Sequence, residues 1–188
     1  MFGENRPQEL NRKLEGLSAV HDLPDVRFDM IGNLQTNKIN AVLGRVGLVH
    51  SIGSLHLACA VASRVERRME TGELDVPQDV LIEVNVSGEE TKGGFSPADL
   101  RREFNELQGL CGIRIKGLMT MAPRGDKDTA RACFDGLREL RDELSRESGL
   151  PLSELSCGMS EDFEVALEEG STIVRLGRVV FDPSFAVR

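Results

Sequence analysis

The chain has 188 residues, 40% of them hydrophobic and 29% charged, with a formal net charge of −8. That length and balance suit one soluble domain with a sizeable core. The acidic excess argues against broad nucleic-acid binding, which needs a positive face, and leaves room for a small anionic ligand held by a few local donors. No apolar run approaches the roughly 20 residues of a membrane-spanning helix, and no basic segment followed by an apolar one opens the chain, so a cytoplasmic, membrane-free protein is expected. The cysteines at 59, 111, 133 and 157 are widely spaced and are expected to be reduced core thiols. His21, His50 and His56 form no ligand pattern, so no metal is expected.

Short apolar strands alternate with amphipathic helices along the chain. Met1 to Glu4 reads as the tail of a strand, Asn5 as an N-cap and Pro7 as a first-turn residue, followed by Leu10, Leu14 and Leu17 at helical spacing. Val26 to Ile31 is a second strand with a Gly32-Asn33 turn. Thr36 is placed to cap a short helix carrying Ile39, Val42 and Leu43. Leu48 to Ile52 is a third strand, and Ser54 opens a helix with Leu55, Ala58, Ala62, Val65 and Met69 on one face. Val80 to Val86, rich in β-branched residues, is a fourth strand. Ser96-Pro97 starts a helix with Leu100, Phe104 and Leu107; Ile113 to Met119 is a strand; Cys133, Leu137, Leu140 and Leu144 mark a long helix. Leu155 to Met159 is a short strand, Ser160 caps a helix ending at Gly170, and Ile173 to Phe181 is the last strand.

Seven strands with six intervening helices imply a parallel sheet. A closed eight-stranded (β/α) barrel needs about 250 residues, so strand count alone leaves a barrel and a doubly wound sheet about even. The segment Leu155 to Val180 is the most informative, because the last strand-end loops of barrels often bind phosphate. Ser156, Gly158 and Ser160 offer hydroxyls and close backbone approach, Arg175 ends the last strand, and Gly177 leaves the main chain bare. The alternative reading is that Ser160 only caps a helix and Gly177 only makes a tight turn. Glu83 and Asn85 alternate with apolar neighbours and could face a barrel interior as acidic catalytic groups, or be a polar strand end. Glu89, Glu90, Glu161 and Asp162 fit a solvated loop and a first helical turn.

Several segments in one order resemble a known family: FGENRPQEL (2–10), MIGNLQTNK (30–38), VHSIGS, VLIEVNVSGEETKGGF, IKGLMTMAP, and LSCGMSEDFEVALEEGSTIVRLGRVVF (155–181). The resemblance covers nearly the whole chain and is to the YggS/PROSC-type pyridoxal phosphate homeostasis proteins. It implies an α/β fold, a TIM-type (β/α) barrel of the alanine-racemase N-terminal-domain kind, as a single domain over residues 1–188. It also implies pyridoxal 5′-phosphate as cofactor, a role in vitamin B6 and amino-acid homeostasis, and no catalytic turnover. By the same resemblance Ser156 and Ser160 would contact the phosphate, Gly177 and the main chain of Arg178 would close the phosphate cup, Arg175 would face the pyridine nitrogen, and Asn5 and Met159 would line the ring. An arginine at that nitrogen keeps it unprotonated and weakens the ring as an electron sink.

The chain departs from the family in three places. The family's Schiff-base lysine lies on a first strand before FGEN, and none of Lys13, Lys38, Lys92, Lys116 and Lys127 sits in a matching motif. Asp29 stands where the family usually has histidine, and Arg178 replaces a frequent small residue. The expectation is therefore a chain without the family's first strand, the native protein beginning upstream, with weak cofactor binding. It would be a monomer able to self-associate through open sheet edges. A non-binding fragment or interaction module is the alternative. A racemase is disfavoured, because a second acid/base group is needed and the chain has no tyrosine.

Overall fold

The computed structural model describes residues 1–21, 25–89 and 91–185; Glu90, assigned above to a solvated loop, lies outside them. Seven strands form one sheet: β1 (Phe2–Glu4), β2 (Phe28–Met30), β3 (Val49–Ile52), β4 (Gln78–Glu83), β5 (Ile113–Met119), β6 (Glu154–Met159) and β7 (Ile173–Arg175). Every neighbouring pair is parallel and the spatial order is the chain order, β1 to β7. That order decides between the two sheet architectures. Right-handed crossovers always stepping the same way put every helix on one side of the sheet and curl it, whereas a doubly wound sheet must reverse direction. The result is a nearly closed (β/α) barrel in which β1 and β7 are the two edges.

The helices are α1 (Pro7–Ser18), a 3₁₀ helix (Thr36–Ala41), α2 (Leu55–Glu70), α3 (Pro97–Gln108), α4 (Lys127–Ser148), α5 (Phe163–Glu168) and α6 (Arg178–Phe181). Ser54 caps α2 by accepting from the Leu57 amide, and Ser96 caps α3 by accepting from the Asp99 amide, with Pro97 in the first turn. Asp126 caps α4, and Gly149 ends it in a left-handed conformation at φ 74°, which a Cβ disfavours. Three expected caps are different. Arg6, not Asn5, precedes α1; Gln35, not Thr36, precedes the 3₁₀ helix; Asp162, not Ser160, precedes α5, and none of the three ends has a side-chain cap. Asn5 and Ser160 lie one and two residues before the N-cap position and Thr36 one residue after it, so none stands where a side chain accepts from the second or third helical amide.

Strand limits differ as well. β4 ends at Glu83, and beyond it only Val84 bridges to Phe95. The last strand stops at Arg175 instead of running to Phe181, because Gly177 turns the chain into the short α6. None of the helices described is long and apolar enough to cross a membrane. Cys133 and Cys157 are buried, but Cys59 is only partly covered and Cys111 is exposed, against the expectation of four core thiols; Cys111 lies in the turn after α3 rather than on an apolar face.

The two faces of the sheet are chemically distinct. Phe28, Met30, Val49, Val80, Ile82, Leu118, Leu155 and Cys157 belong to the large core shared with the helices. Side chains alternate along a strand, so their neighbours project to the inner face. There the apolar cluster is small, consisting of Leu48, Leu81 and Met119 with Ile173 against them. The buried polar residues Asp29, His50, Glu83 and Ser156 alternate with outer-core positions on β2, β3, β4 and β6. The barrel interior is therefore largely polar.

Strand β5 carries a bulge: the register with β4 steps from Val80↔Ile115 to Leu81↔Gly117, leaving Lys116 as the extra residue. At Gly117 the β6 backbone closes in, and a Cβ there would lie 1.8 Å from the Glu154 carbonyl oxygen. Gly117→Ala is therefore expected to lower stability by about 3 kcal/mol, seen as a reduced urea midpoint at unchanged m-value. An unaltered midpoint would mean that β5 and β6 can separate at no cost.

Candidate functional site

The C-terminal ends of parallel strands all point one way, so the loops after them gather at one rim. Arg175, the last residue of β7, is the central group below that rim. Its Nη1 donates to the Ser156 carbonyl at 2.9 Å and to Ser156 Oγ at 2.6 Å, and its Nη2 donates to the Thr120 carbonyl at 3.0 Å. A guanidinium has five N–H donors, so Nε–H and one Nη2 proton remain for a ligand. Burial pulls this group below the usual arginine range, countered by the negative charges of Cys157, Asp162 and Glu83 as far as they ionise.

Below Arg175 runs a buried chain of polar contacts. Ser156 Oγ lies 2.9 Å from His50 Nδ1, and His50 Nε2 lies 3.5 Å from Asp29 Oδ2. All three residues are almost wholly buried. The contact from Nε2 to Asp29 is one of proximity only, and Nε2 is the one buried side-chain nitrogen or oxygen among the described residues with no hydrogen-bond partner. Arg27 closes the chain on Asp29 with bonds of 2.9 and 3.3 Å. Burial by itself would raise the Asp29 carboxyl, but the approach of His50 and Arg27 holds it below the ordinary carboxylate range. Because Arg175 donates to Ser156 Oγ, Ser156 donates in turn to His50 Nδ1, which leaves the imidazole proton on Nε2, facing Asp29.

Ser160 sits at the end of β6, 4% exposed. Its Oγ accepts from the Gly177 amide at 3.4 Å and the Val179 amide at 3.3 Å. Both bonds are long, so these amides are only loosely satisfied. A Cβ at Gly177 would meet nothing within 4 Å, so the space over this turn is open. The Arg178 guanidinium is turned aside, bonded to Glu161 at 2.7 Å and stacked 4.9 Å from the Phe185 ring.

The expected residues therefore fall into three places. Met159, Ser160 and Arg178 line one cleft at the ends of β6 and β7, together with Arg124 and Lys127. Asn5 lies across the rim in a second cleft with Ser51, Glu83, Lys92 and Met121. Ser156 is at neither: fully buried in mid-β6, its hydroxyl is engaged by His50 and Arg175. Its hydroxyl therefore lies beneath Arg175, three residues before the end of β6. Val179, His50, Asp29 and Thr120 were not singled out for the site by sequence reasoning; a histidine has no detectable partner until the sheet brings β2, β3 and β6 together. Asp162, expected as a first-turn charge, accepts from the Met159 amide at 2.6 Å, and Lys92, which sits in no matching motif, lines the second cleft.

The residues present suit a phosphorylated, ring-bearing ligand such as pyridoxal phosphate: loosely held amides over open space for the phosphate, and an arginine with spare donors beside them for a ring acceptor. The profile of the family described as alanine racemase, N-terminal domain, matches residues 18–184. The pyridoxal phosphate homeostasis protein of Aquifex aeolicus is 46% identical over 182 residues, which cover 96% of this chain and 75% of that protein. The structure of PipY of Synechococcus elongatus with pyridoxal phosphate bound superposes with a TM-score of 0.84 at 35% identity, covering 96% of this chain and 80% of that one. An alanine racemase of Clostridium difficile, at 16% identity and a TM-score of 0.71, shares the fold over 47% of its length.

Asp29 tests the polar chain. Its folded-state carboxyl lies below the ordinary value of 3.8, so its stabilising contribution is complete above that pH and is lost as pH falls through the folded value. Asp29→Asn is expected to cost about 2 kcal/mol near neutrality, narrowing below pH 3.8, by urea unfolding across pH. A difference independent of pH would show that the charge of Asp29 contributes nothing.

Proposed function

The chain belongs to the alanine racemase N-terminal domain family and, within it, to the pyridoxal phosphate homeostasis proteins; from that premise we propose that it binds pyridoxal 5′-phosphate at the rim formed by β5, β6 and β7. We read it as a monomeric cytoplasmic holder of the cofactor in vitamin B6 and amino-acid homeostasis, without catalytic turnover and without nucleic-acid or membrane partners. The observation that carries the reading is the convergence of Ser160 Oγ and the Gly177 and Val179 amides beside the partly buried Arg175 guanidinium.

Each residue then has a physical task. The Gly177 and Val179 amides and the Ser160 hydroxyl donate to phosphate oxygens, giving short, charge-assisted bonds in place of the present long ones. Gly177 supplies bare backbone for the approach. Arg178 contributes through its main chain, since Glu161 and Phe185 occupy its side chain. Arg175 donates to the ring nitrogen; a guanidinium does not give up its proton, so that nitrogen stays unprotonated. Ser156, through His50 and Asp29, fixes the guanidinium plane. Met159 and Asn5 line the ring from opposite sides of the rim. The cofactor itself supplies an aldehyde that condenses with primary amines and a ring that withdraws electrons, the latter only weakly when its nitrogen carries no proton.

The test is a titration of pyridoxal phosphate into the purified chain, followed by the cofactor's own absorbance and fluorescence; the chain contains no Trp or Tyr to interfere. A saturable, stoichiometric change is expected. Ser160→Ala and Arg175→Ala should each weaken binding by about tenfold or more, the worth of a hydrogen bond to a charged group. Arg178→Ala should stay within about threefold. Unchanged affinity in both of the first two variants would refute the assignment.

A further inference from the structure

Glu83 is absorbed by none of the roles above. It ends β4 on the inner face and is 8% exposed. Its carboxylate accepts no hydrogen bond and makes no ion pair among the described residues. The charge that acts on it is that of Arg175, whose side-chain hydrogen bonds go to Ser156 and Thr120. The other cation at this cleft, Lys92, is also committed, with Nζ 2.5 Å from Glu89 and 3.2 Å from the Met121 carbonyl. The residue is largely buried, but its carboxylate faces the cleft that it lines, where a cation from outside can meet it.

The surroundings keep its outward side open. A Cβ at Gly53 would lie 3.4 Å from Glu83 Oε2, and one at Gly93 would lie 3.7 Å from Oε1. Any other residue at either position would begin to cover the carboxylate. Both glycines and Glu83 line a cleft of about 700 Å³ whose apolar side is formed by Ile31, Met119 and Met121. Low-dielectric walls strengthen a charge–charge contact, and they accept a short alkyl chain. A metal ion is a poor candidate, because no group of three or more His, Cys, Asp or Glu suited to hold one occurs among the described residues.

The geometry points to a binding site for a small primary ammonium compound, its charged nitrogen on the Glu83 carboxylate and its alkyl part against Met119 and Met121. An ammonium is compact and carries three donors, enough to meet both carboxylate oxygens. The cleft also holds Asn5, which the cofactor reading sets against the ring, so the titration is run without pyridoxal phosphate and its outcome is separate from that of the cofactor reading.

The experiment uses n-propylamine, with 1-propanol as its uncharged counterpart, titrated into the full chain near pH 7 and followed by amide chemical shifts. Saturable shifts at Gly53, Gly93 and Gly94 are expected with n-propylamine and not with 1-propanol. Glu83→Gln should weaken the interaction at least tenfold, and Gly93→Ala, which keeps the charge and narrows the approach, should weaken it to a smaller extent. The Gln variant remains a folded control. Burial raises the Glu83 carboxyl above its ordinary value of 4.5, only partly offset by Arg175. The folded state therefore holds the proton more tightly than the unfolded one, and stability falls as pH rises through the folded value. Removing the charge should thus raise the urea midpoint at pH 7. Equal shifts with 1-propanol, no saturation with n-propylamine, or undiminished binding in Glu83→Gln would each overturn the inference.

Discussion

The anchoring of Arg175 is the contact on which the interior depends. Its guanidinium ties the last strand to β6 through Ser156 and to the end of β5 through Thr120. From Ser156 the contacts continue to His50 on β3 and Asp29 on β2. One line of polar groups thus spans the inside of the curved sheet, where a barrel of this size would otherwise be filled by layers of branched apolar side chains. A cation placed there without acceptors would be prohibitive, so the serine, the carbonyls and the carboxylate are required by the arginine rather than added to it.

Parallel topology explains why this network lies beneath a binding rim. The strands end together, the loops after β5, β6 and β7 converge, and the donors that a phosphate would use sit one to four residues beyond the strand ends. Ser160, Gly177 and Val179 are supplied by two different loops, and only the pairing of β6 with β7 holds them together. Glu83, the last residue of β4, is level through Met119 with Ser156 and feels the charge of Arg175. The inner face therefore carries both signs of charge, each set by a different strand, in a space with few apolar contacts.

Asp29, where the resemblance leads one to expect histidine, lies 3.5 Å from His50 Nε2. Arg178 replaces a small residue, yet its side chain is drawn off by Glu161 and Phe185, so the space above Gly177 stays open.

Much of this was legible in the residues themselves. The alternation of strands and helices, the caps at Ser54 and Ser96, and the outer core of Val80, Leu100, Leu137 and Leu155 follow from period, propensity and side-chain chemistry acting over a few residues. The motif at 155–181 located Ser160, Arg175 and Gly177. What the sequence could not decide were relations between strands far apart in the chain. Whether Ser160 caps its own helix or meets Gly177 and Val179, whether Ser156 reaches a ligand or supports Arg175, and whether His50 has a partner depend on register and curvature. Those are set by the packing of the whole sheet. Local signals fixed which segments are strands; only the closure of seven of them around a polar interior determined which side chains touch.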